Sequence, residues 1–223
     1  MRKLLLSALL VVMALTVCAQ ADIIIGGPPN GANCIPFSCR SIDNGNYEQI
    51  YNASAFGGQS INIGSISFYN TNFDNGPSQG IANLNFSLFL AATTQSVPDG
   101  SIPGGAVKFG DFSLNGGLWT FGNTLTFTGT PFFYDPTTGL NLELILETSG
   151  GSDPTSGVYT YFDSNSSGPF SRWCGACGSN PGYGLVTGFE TTSSPGTVPE
   201  PSSLLLLGSG LLATLGVVRR KLF

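Results

Sequence analysis

Asn83-Leu84-Asn85-Phe86-Ser87-Leu88-Phe89-Leu90 and Leu140-Asn141-Leu142-Glu143-Leu144-Ile145-Leu146-Glu147 decide the fold. In the first stretch Leu84, Phe86, Leu88 and Leu90 alternate with Asn83, Asn85, Ser87 and Phe89; in the second Leu140, Leu142, Leu144 and Leu146 alternate with Asn141, Glu143, Ile145 and Glu147. A strand turns successive side chains to opposite faces, so each stretch reads as a half-buried strand with one face on a core and one largely wet. Elsewhere the period of two changes phase: Ile61 and Ile63 give way to Ile66 and Phe68 across Gly64-Ser65, and Val107 and Phe109 to Phe112 and Leu114 across Gly110-Asp111. One extra residue at a glycine is what a β-bulge inserts. Asn115-Gly116 and Gly122-Asn123 predict hairpins, Asp135-Pro136-Thr137-Thr138-Gly139 a turn, and Val158–Phe162 and Leu185–Phe189 further strands. Seven to nine short strands without helical interludes predict an all-β domain, an antiparallel β-sandwich or jelly roll.

Two apolar runs flank this body. Arg2 and Lys3 precede Leu4–Val17, and Ala19-Gln20-Ala21 supplies the small-x-small pattern that a signal peptidase cuts after, so residues 1–21 read as a signal peptide and Asp22 as the mature start. Near the other end, Val198-Pro199-Glu200-Pro201 is followed by an apolar run over 202–218 and then Arg219, Arg220 and Lys221 within 219–223. Seventeen residues at ~1.5 Å each span about 26 Å, close to a ~30 Å hydrocarbon core, and the cations set a cytoplasmic stop. The expected order is a signal helix over 1–21, a β-sandwich domain over 22–190, a Thr/Ser/Pro/Gly linker and tag over 191–201, one transmembrane helix over 202–218 and a basic tail over 219–223.

Val198-Pro199-Glu200-Pro201, the short hydrophobic run and the basic end together resemble the PEP-CTERM sorting signal of Gram-negative bacteria. The resemblance implies an exported protein handled by an exosortase-type membrane peptidase, anchored in the inner membrane before processing and then placed at the cell surface or in the extracellular matrix. Hosts of this family typically make exopolysaccharide, which becomes an expected partner. Phe132-Phe133-Tyr134-Asp135-Pro136 to Leu144 is similar to a strand-turn-strand common in proteins with this tail, with Leu140 intruding after Gly139. The tag gives an address and is silent on the chemistry of its cargo.

Residues 22–197 hold 12 of the 13 acids and only Arg40, Lys108 and Arg172 as bases, a net charge of −9. Phosphate contacts need a cationic face, so nucleic acid is excluded as a partner. The chain has no histidine, which removes Ser-His-Asp and Cys-His catalysis and the commonest metal ligand. No catalytic residue, cofactor or metal is expected. Cys34, Cys39, Cys174 and Cys177 remain after processing, an even count that predicts disulfides with three pairings open; a pair across the chain would contribute roughly 3 to 5 kcal/mol and a local one less.

Trp173-Cys174-Gly175-Ala176-Cys177 resembles the active-site motif of thioredoxin-like oxidoreductases, but Gly178-Ser179-Asn180-Pro181-Gly182 cannot continue the helix that such a site needs. A structural disulfide is the expected reading. Glu143 and Glu147 share a strand face about 13 Å apart along the backbone, beyond the ~5 to 9.5 Å of glycoside hydrolysis, and read as solvated. Thr124, Thr126, Thr128 and Thr130 form a row that fits a wet strand face. Asp-Asn-Gly at 43–45 and 74–76 reads as turns rather than calcium loops. Tyr159, Tyr161, Phe162, Trp173 and Tyr183 are the aromatics that would suit sugar stacking if they were exposed. The resulting expectation is a non-catalytic surface protein, with a carbohydrate-binding module as the alternative and a glycan-acting enzyme behind it.

Overall fold

The computed structural model describes residues 22–39, 46–175 and 177–192. The expected signal peptide, tag, membrane helix and basic tail, with Ala19, Ala21, Val198, Pro199, Glu200, Pro201, Arg219, Arg220 and Lys221, lie outside them. Among the described residues no helix is long and apolar enough to cross a membrane.

Thirteen strands run through the described residues: β1 (Ile23–Ile25), β2 (Gly31–Asn33), β3 (Tyr47–Tyr51), β4 (Ile61–Tyr69), β5 (Asn83–Thr93), β6 (Val107–Asn115), β7 (Thr124–Tyr134), β8 (Asn141–Ser152), β9 (Phe162–Asn165), β10 (Phe170–Cys174), β11 (Gly178–Pro181), β12 (Gly184–Leu185) and β13 (Thr187–Thr191). They form a six-stranded sheet β11-β10-β3-β8-β5-β6, a four-stranded sheet β1-β13-β4-β7 and a three-stranded sheet β12-β9-β2. The all-β expectation holds, and the strand pairs are antiparallel. Leu84, Phe86, Leu88 and Leu90 of β5 and Leu142, Leu144 and Leu146 of β8 are buried against Ile63, Ile66, Phe68 and Phe127 of the four-stranded sheet.

Phe37 fastens the three sheets to one another. It is fully buried, and its ring lies 4.7 Å from Phe68 and 5.4 Å from Phe127 in the four-stranded sheet, 6.2 Å from Phe86 in the six-stranded one and 5.5 Å from Phe162 in β9. The short loop that delivers it is closed by the Cys34–Cys39 disulfide and by Ser38 N donating to Cys34 O at 2.8 Å. Ser38 Oγ donates to Gly80 O at 2.7 Å and accepts from Thr160 N at 2.8 Å, pinning the loop to two others. Phe37→Leu, which keeps an apolar group but gives up four ring contacts, should lower unfolding free energy by about 1.5 kcal/mol in a urea titration without changing its slope.

The strand phases are explained by bulges. In β4 the ladder to β7 slips between Ile63 and Ser65, and Gly64 sits there because a Cβ would run into Thr192. In β6, Leu88 pairs with Gly110 and Phe89 with Lys108, so Phe109 is the inserted residue, one position before the expected Gly110-Asp111. Phe109 turns into the core, whereas Val107 is exposed.

Both expected hairpins are corrected. β6 pairs with β5 and β7 with β4, so residues 116–123 carry the chain from one sheet to the other. Gly116 does take the positive φ that Asn-Gly predicts, 67°, but its N–H donates to Ala82 O instead of closing a two-residue turn. Trp119-Thr120-Phe121 consequently belongs to a loop. Asp135–Gly139 is the expected turn: Asp135 accepts from Thr137 N at 3.0 Å and Gly139 has φ 77°. Val158–Tyr161 is mostly irregular, joined to the body by a bridge from Gly80 to Tyr159, with β9 beginning only at Phe162. Leu185–Phe189 divides at Val186 between two sheets.

Candidate functional site

The four cysteines pair locally, Cys34 with Cys39 and Cys174 with Cys177. The second disulfide closes the hairpin from β10 to β11, where Cys177 N donates to Cys174 O at 3.0 Å and Gly178 takes φ 64°. No helix follows, so the electrostatic device that makes such a thiol reactive is missing from this turn. Among the described residues no group of three or more acids or thiols is arranged to hold a metal ion.

The expectation that Glu143 lies on a wet face fails. Glu147 is exposed, but Glu143 and Glu48 are both at 0% exposure. Residues paired across an antiparallel ladder share a face, and the register Ile50 to Glu143 and Glu48 to Ile145 puts both acids on the outer face of the six-stranded sheet, one diagonal step apart. What seals that face is the segment 94–106. Asn141 Nδ2 donates to Gln95 O at 2.8 Å, Ser179 Oγ to Pro98 O at 2.8 Å, and Gly100 N to Glu48 Oε2 at 2.9 Å. Gly100 lies flat against the Trp173 ring at φ 90°, where a Cβ would come within 2.7 Å of it. Glu48 Oε1 and both oxygens of Glu143 have no hydrogen-bond partner.

Burial therefore raises both carboxyls to about 7. For Glu48 the Gly100 N–H and Asn46 oppose the rise and Asp99 adds to it; for Glu143 the charges of Glu48 and Asp99 add to it. Neither cation among the described residues is placed to compensate. Lys108 pairs with Asp111 at 2.6 Å, and Arg172, opposite Gln49 on the core face, stacks 4.3 Å from the centre of the Tyr183 ring. Two neighbouring carboxyls titrating near neutrality have the chemistry of an acid and a base, but with the segment closed no substrate reaches them.

A second feature is an open cleft of about 300 Å³ between the loop after β4 and the crossover from β6 to β7, lined by Asp74, Pro77, Gln79, Trp119, Thr120 and Phe121. Backbone bonds hold its walls together: Trp119 N to Gln79 O at 2.7 Å, Ile81 N to Gly117 O at 3.1 Å and Gly122 N to Asn70 O at 2.8 Å. The first wall is set by buried Asp163, which accepts from Thr71 N and Asn72 N at 2.8 Å each and from Thr71 Oγ1 at 2.6 Å. Asp74-Asn75-Gly76 is indeed a turn, with Gly76 N donating to Asp74 Oδ1 at 2.9 Å. Around the cleft, Phe73, Leu118 and Phe121 are 46%, 72% and 39% exposed. Trp119 Nε1 and Gln79 Oε1 are buried without a partner.

Of the aromatics read from sequence as sugar-stacking candidates, Phe162 is fully buried; Trp173 covers Gly100, Tyr183 carries Arg172, and Tyr159 donates to Asp153 at 3.1 Å. Tyr161 lies beside the cleft, edge-on to Phe73 at 5.2 Å, and the Tyr159 backbone runs behind it, bridged to Gly80 and accepting from Asn75 Nδ2 at 3.0 Å. The expected hairpin at Gly122-Asn123 makes 119–121 a strand and so hides the residues that line the cleft; the available signal is an aromatic pair bracketed by Gly116, Gly117 and Gly122. The threonine row is exposed on β7, but only Thr124, Thr126 and Thr128 stay in register with β4, opposite Tyr69, Ser67 and Ser65, before the ladder slips. Thr126 and Thr128 hydrogen-bond to Ser67 and Ser65 at 2.8 and 2.9 Å.

No curated protein and no solved structure matches this chain. A family model, the PEP-CTERM protein-sorting motif, matches residues 197–221, the stretch that contains Val198-Pro199-Glu200-Pro201 and Arg219-Arg220-Lys221. This chain carries a PEP-CTERM sorting motif and with it the signal of an exported protein processed by an exosortase, a membrane protease.

Proposed function

We propose that this is a non-catalytic surface or matrix protein whose β-sandwich body is exported behind the signal peptide 1–21, held by the apolar segment 202–218 and then processed at its tag. The observation that carries this reading is the sorting motif at residues 197–221. Two local disulfides suit an oxidising compartment, and an acidic, histidine-free body suits the outside of a cell. A non-catalytic role is favoured because Glu48 and Glu143, the adjacent carboxyls, are sealed from solvent. A glycan-binding role is the second reading, with the cleft beside Trp119 as the observation that favours it; exopolysaccharide would be the natural partner.

Intact-mass analysis of the protein from native cells tests the proposal. The expected mass is that of a chain beginning at Asp22, lacking the segment beyond the tag or carrying an attachment there, and reduced by the hydrogens of two disulfides. A cytosolic protein that keeps Met1, Phe223 and free thiols would overturn it.

A further inference from the structure

We infer that the cleft between Gln79 and Trp119 is a binding site for an uncharged sugar, a short stretch of neutral glycan seated on Phe121 and hydrogen-bonded to Gln79 and Trp119. The inference rests on the reading of the body as a surface interaction domain and gives that domain a ligand class. Three observations converge on it.

The first is an unmet pair of polar atoms. Trp119 Nε1 can only donate and Gln79 Oε1 can only accept, and both are buried without a partner. A buried polar atom left unpaired costs about 1–3 kcal/mol, so ligand hydroxyls that meet these two atoms as the Gln79 side chain and the Trp119 indole turn toward the opening recover free energy. A hydroxyl donates and accepts at once; a carboxylate would serve only the indole, and an apolar side chain neither. Water would satisfy the same atoms, but water gives no use to the second feature, the exposed rings. Phe121 and Phe73 remain 39% and 46% exposed beside the opening, and Pro77 adds a flat apolar wall. A pyranose has an apolar C–H face and a rim of hydroxyls, which is the pattern that rings above two polar atoms require.

The third observation is charge. Asp74 stands in the lining, and residues 22–197 carry −9. A uronic acid or a sulfated sugar would meet like charge on approach and at the site, whereas a neutral sugar meets none. The backbone bonds across the walls, with Asp163 fixing the loop behind them, leave side chains rather than backbone to be ordered on binding.

The test is calorimetric titration of the full chain, purified in a sugar-free zwitterionic detergent, with soluble hexaoses of glucose, mannose and galactose and with a galacturonic acid hexaose. Saturable binding of at least one neutral hexaose is expected, with the acidic one at least tenfold weaker. Phe121→Ala, at an exposed position that leaves the core untouched, and Gln79→Leu, which removes the acceptor, should each weaken it about tenfold or more; Trp119→Phe keeps a ring while removing the donor and should do the same. The inference is overturned if none of the three neutral hexaoses binds, if binding survives Phe121→Ala and Gln79→Leu unchanged, or if the acidic hexaose binds as well. A dimer of the chain that Phe121→Ala dissociates would make the cleft a protein contact instead. Recovery of shortened hexaose would overturn the non-catalytic reading while leaving the ligand class of the cleft standing.

Discussion

Glu143→Gln is expected to raise the melting temperature at pH 8 by about 4–8 °C and to leave it unchanged near pH 4. The argument starts from the cover. Segment 94–106 seals Glu48 and Glu143 at 0% exposure, and Glu143 has no hydrogen-bond partner for either oxygen. Both carboxyls rise from an ordinary 4.5 to about 7 because burial penalises their charged forms. Between those two values the folded chain holds more protons than the unfolded one, so stability falls as pH climbs from about 4.5 to about 7 and is flat beyond. This is the reverse of the ordinary salt-bridged carboxylate, whose stabilisation is lost in acid. One pKa unit is about 1.4 kcal/mol. Since a single layer of chain covers the pair and the two titrations are coupled, about 2 kcal/mol over the window is the expected size for Glu143.

Glutamine copies the protonated acid in shape, so Glu143→Gln should match the native chain at low pH and exceed it at high pH. Glu48→Gln should gain less, since the Glu48 carboxylate already accepts from Gly100 at 2.9 Å. Amide exchange at Gly100, corrected for the intrinsic pH dependence, reports the physical event: strong protection at pH 5 and progressive loss toward pH 8, as ionising acids repel one another and Asp99, an exposed residue of the segment itself. A melting temperature independent of pH between 4 and 8 in the native chain, or Glu143→Gln destabilising at both ends, would refute the account.

Glu143 also marks the boundary of what the sequence could tell. Alternation in β5 and β8 sufficed to place Leu84, Phe86, Leu88, Leu142, Leu144 and Leu146 in the core, because a strand's two faces are written directly into odd and even positions. The same logic could find the phase change at Gly64, since it happens inside one strand. It could not see that a Pro- and Gly-rich connection folds back over the outer face of β8, because that contact joins residues about 50 apart and nothing in the period of two encodes it. The hairpins failed for a related reason. Asn115-Gly116 correctly predicts a tight local bend, but which strand pairs after the bend is decided by the partner: β5 takes β6, and β4 takes β7. The cleft was illegible on both counts, since Gln79 and Trp119 meet only through that crossover. The disulfides were legible as a set and not as pairs, whereas the sorting tag, a linear signal, was legible in full.

Glu200→Ala should abolish C-terminal processing while leaving export and N-terminal cleavage intact, so that a longer form of the protein accumulates in the membrane fraction. From Thr191 to Val218 the chain has one charged side chain, Glu200, so a peptidase that reads charge in this stretch has no alternative to it. Proline fixes its own φ and disfavours helix at the residue before it, so the Pro-Glu-Pro sequence predicts a stiff carrier for the carboxylate. The position also lies beyond the last described strand of the body, which ends at Thr191, so recognition can be tested without altering a strand. Glu200→Asp keeps the charge on a shorter arm and should process partially; Glu200→Gln keeps the length without the charge and should behave as alanine does. On the proposed topology, neutralising Arg219, Arg220 and Lys221 together acts differently, by removing cations expected to hold the tail on the cytoplasmic side, so it should disturb topology in a protease-protection assay before it disturbs cleavage. Immunoblots of membrane and released fractions distinguish these outcomes. If Glu200→Ala is trimmed and released like the native chain, charge at the tag is not what the peptidase reads, and the hydrophobic run with its basic end would have to carry recognition alone.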